Sequence, residues 1–88
     1  MKLTFVRNIQ FTKLVKIHGR LKEFNFRKPN HHERSNFSVD TIDEYGERII
    51  FQMQKSDGEW RILTDGLPKW ITDQEVSFNI LITEELEG

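Results

Sequence analysis

The stretch FSVDTIDEYGERIIFQMQKSDGEWRILT, residues 37–64, decides the fold. Phe37, Val39 and Thr41 share one side of its first run, Ile49, Phe51 and Met53 one side of the second, and Trp60, Ile62 and Thr64 one side of the third. Alternation with period two is the mark of half-buried strands. Turn chemistry then sets the register. Asp57-Gly58 suits a two-residue type I′ turn, which needs positive φ at both central positions. Pairing Ser56 with Glu59 brings Lys55 opposite Trp60, Met53 opposite Ile62 and Phe51 opposite Thr64. For the preceding turn, a two-residue loop would pair Val39 with Ile50 and break the apolar face. A three-residue loop, Glu44-Tyr45-Gly46, pairs Thr41 with Ile49, Val39 with Phe51 and Phe37 with Met53. It also puts Gly46 where a left-handed residue is wanted.

Upstream the same logic continues. Phe11, Val15 and Ile17 lie on one side of a strand, and Phe24 and Phe26 on one side of the next. His18-Gly19 as a two-residue turn sets Phe11 opposite Phe26. Three hairpins thus agree on one apolar face, and agreement between local and global preferences is what specifies a fold. Downstream, Gly66 and Pro68 end the strand pattern. Thr72 and Glu75 have the spacing of a capping box, with Asp73 also suited to a helix N-terminus. A helix over residues 73–86 would align Phe78, Ile82 and Leu86, with Leu81 at the edge of the stripe. The run VSFNILI also alternates as a strand does, through Val76, Phe78, Ile80 and Ile82. The helix is the reading adopted, because a sheet with one apolar face needs a cover and helix on sheet is the common solution. The expected fold is α+β: an antiparallel meander of about five strands with a C-terminal helix packed on one face.

Eighty-eight residues suit a single domain with one modest core. The chain has no cysteine, which excludes disulfide frameworks and thiolate metal sites and points to a reducing cytoplasm. Polar residues interrupt the start, MKLTFVRNIQF, before any apolar run develops, and no segment approaches the length of a membrane span. A formal charge of −1 conceals an asymmetry. Through Arg34 there are nine Lys/Arg against two acids, and from Ser35 onward four against twelve. Such a split implies either a basic binding surface or attraction between the halves, within a chain or between chains.

The runs GRLKEFNFRK, FSVDTIDEYGERIIFQMQK, DGEWRI and LPKWI, in that order, resemble a family of small bacterial proteins. The resemblance covers roughly residues 15–72. It implies a complete small domain and carries no activity, cofactor or catalytic residue with it.

Candidate sites are few. His31, His32 and Glu33, with His18, are metal-ligating types, but neighbouring residues on an extended chain point apart and zinc needs about four converging ligands. A solvated polar loop is the simpler reading, and no cofactor is expected. No phosphate loop, nucleophile elbow or cysteine is present, and Ser35, Ser38, Asp40 and the histidines form no recognisable catalytic set, so an enzyme is not expected. Asp40 with Arg48 or Arg27 reads as a cross-strand pair.

Two binding readings remain. A protein partner would find its best anchor at Leu67, Pro68 and Trp70, since tryptophan is enriched at hot spots. Alternatively it would use the outer sheet face beside Leu21, Ile42, Ile50 and Leu63. Self-association is the related case, a basic edge of one copy meeting an acidic tail of another in a symmetric dimer. Nucleic acid is the second reading, through the basic face and loop formed by Lys16, Arg20, Lys22, Arg27, Lys28, His31, His32 and Arg34. Its weakness is that Phe24 and Phe26, the aromatics on which bases would stack, face the core. The expectation is therefore a cytoplasmic, non-enzymatic binding domain whose partner is a protein or a second copy, with no membrane association.

Overall fold

A computed structural model describes residues 8–29 and 36–87. Five strands follow one another in space as in sequence: β1 (Asn8–Ile17), β2 (Arg20–Pro29), β3 (Phe37–Ile42), β4 (Arg48–Ser56) and β5 (Glu59–Ile62). Every neighbouring pair is antiparallel, and the sheet curls into a half-barrel. A single helical turn, α1 (Lys69–Thr72), leads into α2 (Glu75–Glu87), which packs against β5.

The registers are those that turn chemistry predicts. Phe11 pairs with Phe26, Val39 with Phe51, Phe37 with Met53, and Met53 with Ile62. The β1–β2 and β4–β5 turns have positive φ at both central residues, +50° and +78° at His18-Gly19 and +51° and +82° at Asp57-Gly58. That is the type I′ geometry whose twist matches the flanking strands. In the β3–β4 loop the Asp43 carboxylate accepts from the amides of Tyr45 and Glu47 at 2.9 and 2.8 Å, which holds the three-residue turn in shape. The β4–β5 ladder departs from the expected pattern after Ile62. Leu63 N–H still donates to the carbonyl of Gln52, but Gln52 N–H turns to the Thr64 hydroxyl at 2.9 Å, so Thr64 extends the pairing through its side chain.

The concave face holds the core. Phe24, Phe26, Phe37, Val39, Phe51 and Met53 are buried from the sheet, with Phe78 and Ile82 from α2 and Ile71 from α1. Phe78 is the keystone. Its ring centroid lies 4.9 Å from Phe24, 5.9 Å from Phe26 and 5.8 Å from Phe51, so one aromatic reaches both β2 and β4. Thr41 is a buried polar member of this face, and its hydroxyl donates to the Glu23 carbonyl at 2.8 Å.

The helix itself differs from expectation in three respects. It starts at Glu75, two residues later than Asp73, because α1 takes up residues 69–72. The capping box is not formed. Thr72 Oγ1 donates within α1 to the Lys69 carbonyl, Asp73 closes α1 and pairs with Lys69, and the Glu75 carboxylate accepts from Ile62 N–H at 2.7 Å. A strand amide at a sheet edge has no other partner, so the carboxylate is more valuable there than at its own helix start. Finally, the apolar stripe ends at Ile82, and Leu86 one turn later is exposed.

Candidate functional site

The sheet alternation disperses the basic residues. The parity that buries Phe24 and Phe26 also turns Lys22 and Lys28 to the concave side. Lys28 is buried, 7% exposed, and is engaged in an interaction there. Lys16 and Arg27 lie on the convex side, opposite Leu21 and Ser38 of the neighbouring strands. Arg20 stands at the mouth of the β1–β2 turn. Lys13, on the concave side, is tied to Glu85 of α2 at 2.9 Å. No single basic face is formed by the described residues. His31, His32 and Arg34 lie outside them, as do Glu33 and Ser35. Among the described residues no three His, Asp or Glu side chains gather as a metal site would require.

The convex face is organised around Asp40 instead. Thr12 on β1 donates to Asn25 Oδ1 on β2 at 2.7 Å, Asn25 donates to Asp40 Oδ1 on β3 at 3.0 Å, and Arg48 on β4 donates to Asp40 Oδ2 at 3.1 Å. Arg27 approaches the same oxygen at 4.0 Å. Both arginine pairings expected from the sequence occur, around a carboxylate only 6% exposed. Burial raises the pKa of Asp40, but the hydrogen bonds from Asn25 and Arg48 and the charges of Arg48 and Arg27 outweigh it and hold the carboxyl below its ordinary 3.8. This chain is structural: it spans four strands and leaves no acceptor aimed at a ligand. Leu14, Leu21, Ile42, Ile50 and Leu63 are exposed on the same face.

The arrangement best suited to binding is a cleft at one end of the half-barrel, with a volume of about 730 Å³. Three chain segments remote in sequence build it. The β1–β2 turn contributes His18, Arg20 and Lys22, the β3–β4 turn contributes Tyr45, and the approach to α1 contributes Pro68 and Trp70. Trp70 is half-buried, with its ring centroid 6.4 Å from that of Phe24. Lys22 Nζ sits 4.8 Å from the Trp70 ring centroid and donates to the Ile42 carbonyl at 3.5 Å. The ammonium stacked on the indole face is a cation–π contact, and it fixes one wall. Pro68 is half-buried beside it, and Leu67 packs against the core. Tyr45, which also lines the cleft, is 83% exposed. Arg20 forms no ion pair among the described residues; two acids, Asp43 and Glu44, line the cleft as well, and Asp43 accepts hydrogen bonds within its own loop.

Two sets of residues that the sequence suggested separately therefore meet here: the Pro68–Trp70 anchor and the Arg20–Lys22 part of the basic set. Tyr45 was missed as a site residue, and His18 was weighed only as a metal-ligating type. Both sit in turns that the sequence identifies, and the antiparallel meander itself puts the β1–β2 and β3–β4 turns at the same end of the sheet. The class defined by this fold and cleft is a small antiparallel meander closed by a helix, with an open, aromatic-walled end. Comparison with protein-family models, with curated proteins and with solved structures finds no match to the chain. Among the described residues no helix is long and apolar enough to cross a membrane.

Proposed function

We propose that the protein is a small, non-enzymatic binding domain that takes a short segment of a partner protein in the cleft between Trp70 and Tyr45. The observation that carries this reading is one open cleft of about 730 Å³ lined both by half-buried Trp70 and Pro68 and by Arg20, which has no ion-pair partner among the described residues. That volume is within the range of about 300–1,000 Å³ in which small recognition sites fall. The chemistry favours a segment with one apolar side chain, to lie on Trp70 and Pro68, next to a carboxylate for Arg20. The absence of cysteine fits a reducing compartment such as the cytoplasm.

The test is selection of a displayed random peptide library on the intact chain, followed by calorimetric titration of the synthetic winners. Selected peptides should pair an apolar residue with Asp or Glu. Trp70→Ala should abolish their binding, and Arg20→Glu, at an exposed turn that leaves the core untouched, should weaken it about tenfold. Peptides that bind equally well to Arg20→Glu would overturn the proposal. So would the absence of any consensus, or a salt-dependent titration with a single-stranded oligonucleotide that Arg20→Glu removes, since the last result would give the surface to nucleic acid.

A further inference from the structure

The two edges of the sheet are finished differently. At β5 the helix caps the edge: Trp60 N–H donates to Asn79 Oδ1 at 2.7 Å and Ile62 N–H to Glu75 Oε2 at 2.7 Å. At β1 there is no such cap among the described residues. The residues flanking a two-residue hairpin turn form a hydrogen-bonded pair, and such pairs alternate along an antiparallel ladder. The Ile17–Arg20 pair closes the β1–β2 turn, so Ile17, Val15, Lys13 and Phe11 spend their backbone groups on β2. The N–H and C=O of Lys16, Leu14 and Thr12 therefore point away from the sheet.

This open edge is ten residues long and contains neither proline nor glycine. Proline, bulges, very short strands and charged side chains, lysine above all, are the usual protection of an edge; of these β1 carries only Lys16 and Lys13, the latter held by Glu85. An apolar margin runs alongside it. Leu14 is 60% exposed on the convex side, Ile80 and Val76 are exposed on α2, and a shallow groove of about 350 Å³ separates Leu14–Lys16 from Ile80 and Leu81.

From these features we infer that a second copy of the chain pairs antiparallel along β1, with the two-fold axis at Leu14, to give one continuous sheet. This inference is independent of the cleft. Symmetry and charge select the occupant. With the axis at Leu14, Leu14 meets Leu14 of the second copy, Thr12 meets Lys16, and Lys13 meets Val15, so no lysine faces a lysine. The three pairs at Thr12, Leu14 and Lys16 supply about six backbone hydrogen bonds, two for each pair. The axis is perpendicular to the sheet, which keeps both helices on the concave side and brings their exposed Val76 and Ile80 toward the join. It also sets the basic strand of one copy near the acidic helix of the other, the match that Lys13 and Glu85 already make within a chain.

The chain has no cysteine, so any disulfide formed by a single-cysteine variant must join two copies. Leu14→Cys should oxidise to a covalent dimer, because hydrogen-bonded antiparallel partners have Cα atoms about 5.5 Å apart, within disulfide reach. Leu63→Cys, on the same face and similarly exposed, should not form the covalent dimer. By sedimentation equilibrium the unmodified chain should dimerise. Leu14→Pro removes an outward N–H without touching the β2 ladder and should raise the dimer dissociation constant about tenfold or more. Ile80→Glu, on the exposed helix face, should weaken the dimer without any change to the strand. A monomer at millimolar concentration and low salt overturns the inference. So does equal crosslinking of Leu14→Cys and Leu63→Cys, or a dimer indifferent to Leu14→Pro and Ile80→Glu.

Discussion

Strands β1 and β5 both border the sheet, yet they solve the edge problem by opposite means. β5 has four residues, and two of its amides are satisfied by side chains of α2. β1 has ten residues; it is held by β2, by Val15 and Ile17 in the core, by the Phe11–Phe37 ring contact, by the Lys13–Glu85 ion pair and by the Thr12–Asn25–Asp40 chain on the convex face. An edge covered by its own helix is closed to partners. An edge held only from its inner side remains available for strand addition. The helix therefore does two separate things: it covers the concave core, and it decides which border of the sheet stays open.

Substitutions at the helix probe this asymmetry most strongly. Phe78→Ala removes the ring shared by β2 and β4 and should destabilise the fold by about 3–5 kcal/mol, as truncation of a buried aromatic does. Chemical denaturation with an unchanged slope would measure it. If the loss is under about 1 kcal/mol, α2 is not what holds the two edges in their different states. A smaller effect is expected at the capped edge alone. Asn79→Ala strands the Trp60 amide without its acceptor and should cost about 1–3 kcal/mol. Asn79→Asp, which keeps an acceptor oxygen, should recover most of it. Hydrogen exchange should show the gain in solvent access at Trp60 and Ile62, with β1 unchanged; equal acceleration on both edges would erase the distinction between them.

Acid should act most gently, and on the β1 side. The Asp40 carboxyl has a folded pKa below its ordinary value, so its ionised form is favoured by folding. Its contribution is complete above pH 3.8 and is lost as the pH falls from there through the lowered folded value. Asp40→Asn should remove that part of the acid dependence while costing about 1 kcal/mol near neutrality, since both arginine partners are about half exposed. An unaltered acid-denaturation profile in Asp40→Asn would mean that the chain from Thr12 to Arg48 does not tether β1.

Much of the sheet was legible before any coordinates. His18-Gly19, Glu44-Tyr45-Gly46 and Asp57-Gly58 each admit one loop length that keeps the apolar residues together, so local turn chemistry and burial select the same register. Phe78 and Ile82 fit a helical stripe and a strand alternation alike, and only the need of a one-faced sheet for a cover favoured the helix. The orientation of Lys22 and Lys28 was also present in the alternation, although their positive charge suggested a single basic face. By contrast, Glu75 was read through its nearest sequence neighbours as a helix cap. Its carboxylate serves Ile62, thirteen residues away, because a strand amide at an edge offered a better use.

The sequence by itself determined the order, pairing and inward faces of the strands, because period-two burial and positive-φ turns act over a few residues. The tertiary structure decided where those strands end up relative to one another. The approach to α1 brings Trp70 to the end of the sheet that holds Arg20 and Tyr45, and α2, docked on β5, caps one edge and not the other among the described residues. Neither follows from local pattern, because both depend on long-range packing around Phe78, where the contacts are set by the shape of the whole core.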